Sequence, residues 1–233
     1  MRIEKHTFGT GDRFARQGEA QLSAILDAKT AGIHVTPVWN KSAREHAIVG
    51  TTPDSVRAEA DTAVAALGWK GPYHVDADHI AINTVDPYLN GSDFFTLDVA
   101  EHIGRVPEPG DLDAFLRRAE HYLGRLRIPG IDENFNLTRE DLAAIAGRFL
   151  VAAKEAGRIH RYIADRKGAG NFITEVSIDE TDRAQTPVEL FLILVMLAAE
   201  EVPAQTIAPK FTGRFNKGVD YVGEVEAFAR EFD

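Results

Sequence analysis

The chain has 233 residues, of which 44% are hydrophobic and 27% are charged, and its formal net charge is −10 at pH 7. This length supports one large domain or two small ones, and the composition is that of an ordinary globular protein. The negative charge disfavours nucleic acid as a partner, because phosphate binding needs a basic surface. The absence of cysteine excludes disulfides, thiolate nucleophiles and Cys-based zinc sites.

No apolar run in the sequence approaches the roughly 20 residues that a membrane-spanning helix needs. The longest run begins at Val188 and is interrupted by Glu200 and Glu201, which is typical of a buried helix. The first ten residues lack the apolar centre of a secretion signal. We therefore expect no membrane partner and a cytoplasmic location.

Short segments rich in β-branched or aromatic residues alternate with helical patterns along the chain. The first glycine-rich stretch, FGTGDRF at residues 8–14, has no convincing strand before it and lacks the third glycine of a dinucleotide-binding turn, so we interpret it as a loop. Helix start signals occur at Thr138, with Asp141 as its capping-box partner, and at Pro187. The predicted strands lie near Ile33–Val38, Tyr73–Val75, Phe94–Leu97, Phe172–Ile178 and Gln205–Ala208. The predicted helices span about Ala20–Ala28, Pro53–Leu67, Leu112–Arg125, Arg139–Asp165 and Pro187–Ala199.

This alternation predicts βα units and a parallel sheet, either doubly wound or closed into a (β/α) barrel. The barrel is preferred because the sequence carries no nucleotide-binding fingerprint. About five predicted strands are nevertheless fewer than the eight that a closed barrel needs. We therefore predict an α/β, TIM-barrel-like fold that is incomplete in this chain, with residues 1–233 forming a single domain.

The stretch HVDADHI, residues 74–80, places Asp76, Asp78 and His79 at the end of an apolar strand. In parallel α/β folds, polar groups at the carboxyl end of a strand face the functional site. Carboxylate and imidazole groups suit either a divalent cation or an acid–base pair. The alternative is that Asp76 or Asp78 caps a helix and that His79 is an ordinary polar residue.

The stretch TEVSIDETD, residues 174–182, is a second acidic candidate. Strand alternation puts Glu175, Ser177 and Asp179 on one face. A carboxylate inside a barrel must be paired or bound to a metal, because burying it alone is costly. In the alternative interpretation the strand ends early and residues 179–182 form a solvated acidic turn.

Cations are concentrated in PKFTGRFNKGVDY, residues 209–221, where Pro209 and two glycines predict a loop. Lys210, Arg214 and Lys217 lie within eight residues of each other, a density that favours recognition of a small anion. The alternative is a solvated charged loop. Arg13, in the GDR triplet of residues 11–13, could bind an anion in the same way.

Four strings, FGTGDRF, DADH, TEVSIDETDRAQTP and IAPKFTGRFNKGVDYVG, occur in this order and together resemble the tagaturonate epimerase family. The resemblance runs from about Phe8 to the last residue. Members of this family are bacterial metal-dependent isomerases that interconvert tagaturonate and fructuronate, which differ at C4. The resemblance implies a TIM-barrel-like core, a divalent metal cation and a small anionic sugar as substrate.

The resemblance also implies roles for individual residues. His79 is expected to bind the metal, Asp78 to accept a proton and Glu175 to donate one, with Asp179 or Glu180 as alternative donors. The basic loop would hold the substrate carboxylate. The expected substrate contacts are Arg13, Asp76, Asp179, Lys210, Arg214 and Lys217.

Family members are longer at both ends and continue with a histidine-containing motif that is expected to supply another metal ligand. We therefore expect a truncated chain that binds metal weakly and turns over slowly or not at all. Two rivals remain open. One is another metal-dependent ketose isomerase or aldolase on the same barrel, and the other is an inactive half-barrel fragment that acts as an assembly piece. Exposed strand edges of an incomplete barrel would favour a homo-oligomer.

Inversion at C4 of a 2-ketose is difficult because the C4 proton is not adjacent to the carbonyl. Transient oxidation at C4 would need a nicotinamide, for which the sequence has no fingerprint. The remaining routes are retro-aldol cleavage between C3 and C4 and a stepwise proton shift. We predict the retro-aldol route, with a divalent metal as the Lewis acid and Asp78 as the base.

Overall fold

A computed structural model describes residues 1–216 and 219–232 of the chain. The chain divides into two compact units. Unit 1 comprises Met1–Asp98, Arg158–Val176 and Ala204–Thr206. Unit 2 comprises Val99–Gly157, Ser177–Pro203 and Ile207–Asp233. The expectation of one domain over residues 1–233 stays a prediction.

The strands are β1 (Thr7–Gly11), β2 (Thr36–Ser42), β3 (His74–Ile80), β4 (Phe94–Asp98), β5 (Gly124–Arg127), β6 (Asn134–Leu137), β7 (Ile173–Ser177) and β8 (Thr206–Ala208). Six of them form a parallel sheet in the order β1-β2-β3-β4-β7-β8, and β5 and β6 form an antiparallel hairpin. The predicted α/β, TIM-barrel-like and incomplete fold is confirmed, since the parallel sheet has six strands where a closed barrel has eight.

The helices alternate with the strands of the sheet, as βα units require. They are α1 (Gly18–Thr30), α2 (Ala43–Val49), α3 (Asp54–Ala66), α4 (Pro109–Ala119), α5 (Arg139–Lys167), α6 (Pro187–Ala199) and α7 (Val225–Phe232), with short 3-10 turns at Asp86–Tyr88, Ala100–His102 and Glu120–Tyr122. Among the described residues, no helix combines the length and the apolarity that a bilayer crossing requires.

Two local predictions were wrong. The FGTGDRF stretch was expected to be a loop, but Thr7–Gly11 forms β1 and pairs in parallel with β2. Its glycines allow the close approach of β2, because a Cβ atom on Gly11 would lie only 2.8 Å from the Asn40 side chain. The helix expected to reach Arg125 ends at Ala119, and Gly124, with a φ of 86°, begins the hairpin instead.

The sheet of unit 1 has an apolar side that faces α1 and α3. Trp39 of β2 and Val75 of β3 are both 1% exposed and pack in one cluster with Leu22, Val56, Ala60 and Ala63. The residues on either side of Trp39 and Val75 point to the opposite face of the sheet. On that face, Val38 packs with Phe94 and Ile173. This alternation leaves Asn40 and Asp76 on the face opposite the helices, and it therefore positions the candidate site.

Unit 2 contains helices whose ends are built as the sequence predicts. The Thr138 hydroxyl accepts a hydrogen bond from the Asp141 backbone N–H, and the Asp141 carboxylate accepts one from the Thr138 backbone N–H. Thr186 and Glu189 form the same reciprocal capping box at the start of α6. Helix α6 buries Leu192, Ile193, Met196 and Leu197.

Candidate active site

A layer of hydrogen-bonded polar side chains crosses the strands of unit 1. Asp76 of β3 accepts hydrogen bonds from Thr96 of β4, to Oδ1 from the backbone N–H at 3.1 Å and to Oδ2 at 2.9 Å from the hydroxyl oxygen. The Thr96 hydroxyl oxygen also lies 3.3 Å from Oε1 of Glu175 on β7. Thr206, the first residue of β8, donates to Oε2 of Glu175 at 2.7 Å. The sheet therefore brings together two carboxyl groups that are 99 residues apart in the chain.

A β-bulge at the end of β3 brings Asp78 and His79 to the same place. Ala77 pairs with Phe95 and Ile80 with Leu97, so that three residue steps on β3 oppose two on β4. His79 has a left-handed φ of 53°, which is uncommon for a residue other than glycine. In a regular strand these consecutive side chains would point to opposite faces. The bulge re-aims the His79 imidazole, and such strained positions cluster at functional sites.

The His79 imidazole lies between two carboxylates. Its Nε2 atom is 3.8 Å from Oδ1 of Asp78, and its Nδ1 atom is 3.8 Å from Oδ2 of Asp98. The three side chains are between 24% and 36% exposed, so solvent and small molecules can reach them. Asp98 was not among the predicted site residues. Its position directly after the buried strand residues Phe94–Leu97 is the sequence signal that would have identified it.

The electrostatics of the polar layer are dominated by Asp76, which is 6% exposed. Burial raises the pKa of Asp76 well above its usual range, and the negative charges of Asp78 and Glu175 raise it further. The hydrogen bonds from Thr96 lower the pKa but do not offset these effects. Asp76 is therefore protonated more readily than an exposed aspartate, and Thr96 and Thr206 are partners that the sequence prediction missed.

The other predicted site residues are distributed over both units. Arg13 in unit 1 forms an ion pair with Glu45 at 3.7 Å. In unit 2, Asp179 accepts a hydrogen bond from the Ser177 hydroxyl at 2.7 Å, and Arg214 forms an isolated backbone bridge with Val222. Lys210 is half-buried, Arg214 and Glu180 are exposed, and Lys217 lies outside the described residues.

The donor atoms around His79 meet the requirements of a divalent cation only in part. Imidazole nitrogen and carboxylate oxygen are suitable ligand types. However, no group of three or more His, Asp or Glu side chains is arranged to hold a metal ion in residues 1–216 and 219–232. Each ring nitrogen of His79 faces a carboxylate instead. The described residues offer suitable donors but do not by themselves form a complete metal site.

The chain that carries this acidic cluster matches a known protein family over its full sequence. The family model for tagaturonate epimerase matches residues 1–233. The chain belongs to the tagaturonate epimerase family. The resemblance seen in the four sequence strings is therefore confirmed, and the relatives named below are epimerases, which are isomerases.

Relatives within the tagaturonate epimerase family are about twice as long as this chain. A tagaturonate/fructuronate epimerase of Thermotoga maritima is 25% identical over 236 residues, which are 97% of this chain and 48% of the relative. A glycerol-bound crystal structure of the fructuronate-tagaturonate epimerase of Cohnella laeviribosi superposes with a TM-score of 0.80 at 23% identity, covering 100% of this chain and 49% of that one. The chain thus spans about half the length of these relatives.

A more distant structural match shows the fold alone. A probable tagatose 6-phosphate kinase of Sinorhizobium meliloti superposes with a TM-score of 0.57 at 12% identity, covering 97% of this chain and 54% of that chain. At this identity the likeness carries no functional information. In this tagaturonate epimerase family member, the polar layer and the cluster around His79 are the features that point to a function.

Proposed function

We propose that this protein takes part in the interconversion of tagaturonate and fructuronate by epimerisation at C4. The observation that supports the proposal is the cluster of Asp78, His79 and Asp98, which β3 and β4 place at one sheet edge in a member of the tagaturonate epimerase family. Both curated and solved relatives carry this activity in their names. A cytoplasmic location and assembly into a homo-oligomer stay predictions.

The proposed function includes a divalent metal cation, with His79 as one of its ligands. Lewis-acid polarisation of the substrate ketone oxygen is the chemistry that such a cation supplies when bound. The described residues bring only part of a ligand set together around His79. We therefore expect weak metal binding by this chain, to be measured by calorimetric titration with Mn²⁺ or Zn²⁺. Tight stoichiometric binding would contradict that expectation.

The proposed chemistry is retro-aldol cleavage, with Asp78 as the base. The Asp78 carboxylate takes the proton of the C4 hydroxyl, the C3–C4 bond breaks, and its electron pair forms an enediolate over C2 and C3. Asp78 is suited to this role because its carboxylate is 24% exposed at the strand end. Rotation of the aldehyde group and re-closure of the C3–C4 bond then give the epimer, and Asp78 returns its proton to the new C4 alkoxide.

Glu175 is the proposed proton donor in this scheme. It gives a proton to the oxygen on C2 while the enediolate exists and recovers it when the bond re-forms, so protons balance over one turnover. Glu175 is half-buried, and Thr206 and Thr96 fix the positions of its two oxygens. The alternatives have different surroundings, because Asp179 accepts from Ser177 and Glu180 is exposed. The choice of Glu175 rests on its shared layer with Asp76.

The proposed carboxylate contacts are Lys210 and Arg214 of the basic loop. The support for them is charge, since these cations lie close together in a chain whose net charge is −10. In the retro-aldol route the uronate carboxylate belongs to the aldehyde fragment. An anchored carboxylate would hold that fragment in place while its aldehyde group turns, which favours re-closure over escape.

The experiment that tests the proposal is an assay of the full 233-residue chain with tagaturonate and saturating divalent metal, following fructuronate. We expect slow conversion by the wild type and none by His79→Ala. The matched control is His34→Ala, because His34 is an exposed histidine outside the site. Equal conversion by wild type and His79→Ala would refute the role of His79, and absence of conversion by the folded, metal-loaded wild type would refute the proposed activity of this chain.

A further inference from the structure

One hydroxyl group in the polar layer contacts two carboxyl groups. The Thr96 Oγ1 atom lies 2.9 Å from Oδ2 of Asp76 and 3.3 Å from Oε1 of Glu175. The contact to Asp76 has the usual length of an O–H···O hydrogen bond, and the contact to Glu175 is longer and therefore weaker. The other oxygens are also engaged, because Oδ1 of Asp76 accepts from the Thr96 backbone N–H and Oε2 of Glu175 accepts from Thr206.

The number of protons in this arrangement follows from the donors available. A threonine hydroxyl carries one proton and two acceptor lone pairs. It can make one well-aligned hydrogen bond as a donor, either to Asp76 or to Glu175. The second contact is therefore an equally well-aligned hydrogen bond when the other carboxyl group is protonated and donates to Thr96. If both groups were ionised, one oxygen–oxygen contact would be repulsive inside a buried layer.

The surroundings of the two carboxyl groups indicate which one holds the proton. Asp76 is 6% exposed, whereas Glu175 is half-buried. Among the described residues, the negative charges that act on Asp76 are those of Asp78 on its own strand and Glu175 on β7. The Tyr88 hydroxyl, in the 3-10 turn Asp86–Tyr88, also interacts with Asp76, and β4 contributes the neutral Thr96. Burial and these two negative charges raise the pKa of Asp76 well above its usual range. When Asp76 carries the proton, it donates to the Thr96 hydroxyl in place of accepting from it, and the Thr96 hydroxyl then donates to Glu175.

We propose that Asp76 and Glu175 share one proton through the Thr96 hydroxyl, and that Asp76 stores this proton for Glu175 during turnover. The storage role rests on the proposed function of Glu175 as proton donor. The Asp76 proton moves to Thr96 Oγ1 as the Thr96 proton moves to Glu175, which then protonates the substrate oxygen. The return of that proton reverses both transfers, so the chain ends each turnover as it began. Asp76 and Thr96 are positioning residues in this scheme.

The shared proton can be observed without turnover. Ordinary Asp and Glu side chains titrate near pH ~4, so at neutral pH a folded chain should show the infrared carbonyl band of a protonated carboxylic acid only from a perturbed group such as Asp76. We expect this band in the wild type, a shift of it in D₂O, and its loss in Asp76→Asn. The asparagine amide keeps the shape and can donate to Thr96. Asp113→Asn, at an exposed aspartate of α4, is the matched control and should retain the band.

Two variants of Thr96, one without and one with a hydroxyl group, test proton transfer between Asp76 and Glu175. Thr96→Val removes the hydroxyl and keeps the branched shape, whereas Thr96→Ser restores the hydroxyl. We expect Thr96→Val and Asp76→Asn to lower kcat by less than the about 10²–10⁴-fold expected for loss of the acid itself, with KM unchanged. Thr96→Ser should recover most of the rate. The acidic limb of the kcat–pH profile should also shift in Asp76→Asn but not in Asp113→Asn.

The outcomes separate this proposal from the proposed function. A folded wild-type chain without the protonated-acid band at neutral pH would overturn the shared proton, whether or not the chain is active. A band together with unchanged kcat in Asp76→Asn and Thr96→Val would overturn the storage role. If the wild type converts no substrate, the proposed function fails, and the infrared band still decides whether Asp76 and Glu175 share a proton.

Discussion

The acidic cluster of unit 1 and the basic loop of unit 2 are positioned by different means. Asp76 and Glu175 are side chains of paired strands, and their oxygens accept hydrogen bonds from neighbouring strands. In the described part of the basic loop, Arg214 forms an isolated backbone bridge with Val222, and the Tyr221 hydroxyl donates to the Thr212 carbonyl. The strand register therefore holds the Asp76 and Glu175 side chains in place. In the loop these contacts hold the backbone, and the Arg214 side chain is exposed.

This difference predicts which kinetic parameter a substitution in each region should change. A group fixed by a sheet and by buried hydrogen bonds suits proton transfer, which depends on orientation. An exposed cation on a loop suits the attraction of an anion, which tolerates movement and is screened by salt. We therefore expect variants of the acidic cluster to change kcat and variants of the basic loop to change KM.

The largest effect is expected from the acids themselves. Asp78→Asn and Glu175→Gln should each lower kcat by about 10²–10⁴-fold, because each removes a proton-transfer group while keeping the size of the side chain. Steady-state kinetics with tagaturonate measures this, with circular dichroism to confirm folding. Asp113→Asn is the control. A folded Glu175→Gln variant with wild-type kcat would move the donor role to Asp179 or Glu180.

A smaller and different effect is expected from the basic loop. Lys210→Ala and Arg214→Ala should each raise KM by about 10- to 100-fold, the range of one hydrogen bond to a charged group, with kcat nearly unchanged. The increase should shrink at high salt. Arg44→Ala, at an exposed arginine of α2, is the control. A fall in kcat without a change in KM would contradict the comparison between the two regions.

Acid should destabilise unit 1 through His46, which lies in α2 and is 5% exposed. Burial, followed by the charge of Lys41, lowers the pKa of His46 from its ordinary 6.5 to about 4. Between pH 6.5 and about 4, the unfolded chain takes up a proton at His46 that the folded chain does not. The contribution of His46 to the free energy of unfolding is therefore complete above pH 6.5 and is lost as the pH falls to about 4. Urea unfolding across this range should show a weaker pH dependence in His46→Gln than in Lys210→Ala. An identical pH dependence in the two variants would count against this account.

The smallest effect concerns the backbone of His79. Its left-handed conformation costs an alanine about 1–2 kcal/mol, whereas glycine adopts it without this cost. His79→Gly should therefore be more stable than His79→Ala by about 1 kcal/mol, although both lose the imidazole and the activity. Chemical denaturation of the two variants measures the difference. Greater stability of the alanine variant would show that the bulge relaxes when the imidazole is absent.

The sequence predicted the parts of the fold that depend on periodicity. The limits of α6 agree with the prediction at both ends, since Thr186 and Pro187 are strong local start signals. The strand-end position of Asp76 and the strand alternation around Glu175 singled out these two carboxyl groups, and the structure shows that both have hydrogen-bond partners. The identity of the partners was not predictable, since Thr96 and Thr206 are ordinary strand residues until the sheet order β4-β7-β8 is known.

Two other features lay beyond sequence reasoning for physical reasons. The bulge at Ala77–Ile80 is a register shift between two strands, and a single strand carries no signal for it. Strand β1 was missed because Gly9 and Gly11 lower its apparent strand propensity, although the same glycines admit the Asn40 side chain beside them. The bulge and strand β1 both adjoin the polar face of the sheet, where the requirements of a functional site compete with local strand propensity.

The measurement that tests the central claim most directly is a nuclear magnetic resonance assay in D₂O of tagaturonate conversion by the wild-type chain, the Glu175→Gln variant and the Asp113→Asn control, at saturating divalent metal. The account predicts that the wild type and the control form fructuronate with hydrogen, not deuterium, at C4, and that Glu175→Gln is slower by about 10²–10⁴-fold. Deuterium at C4 during wild-type turnover would contradict retro-aldol cleavage, and equal rates in all three proteins would contradict the assignment of the chemistry to the acidic cluster of unit 1.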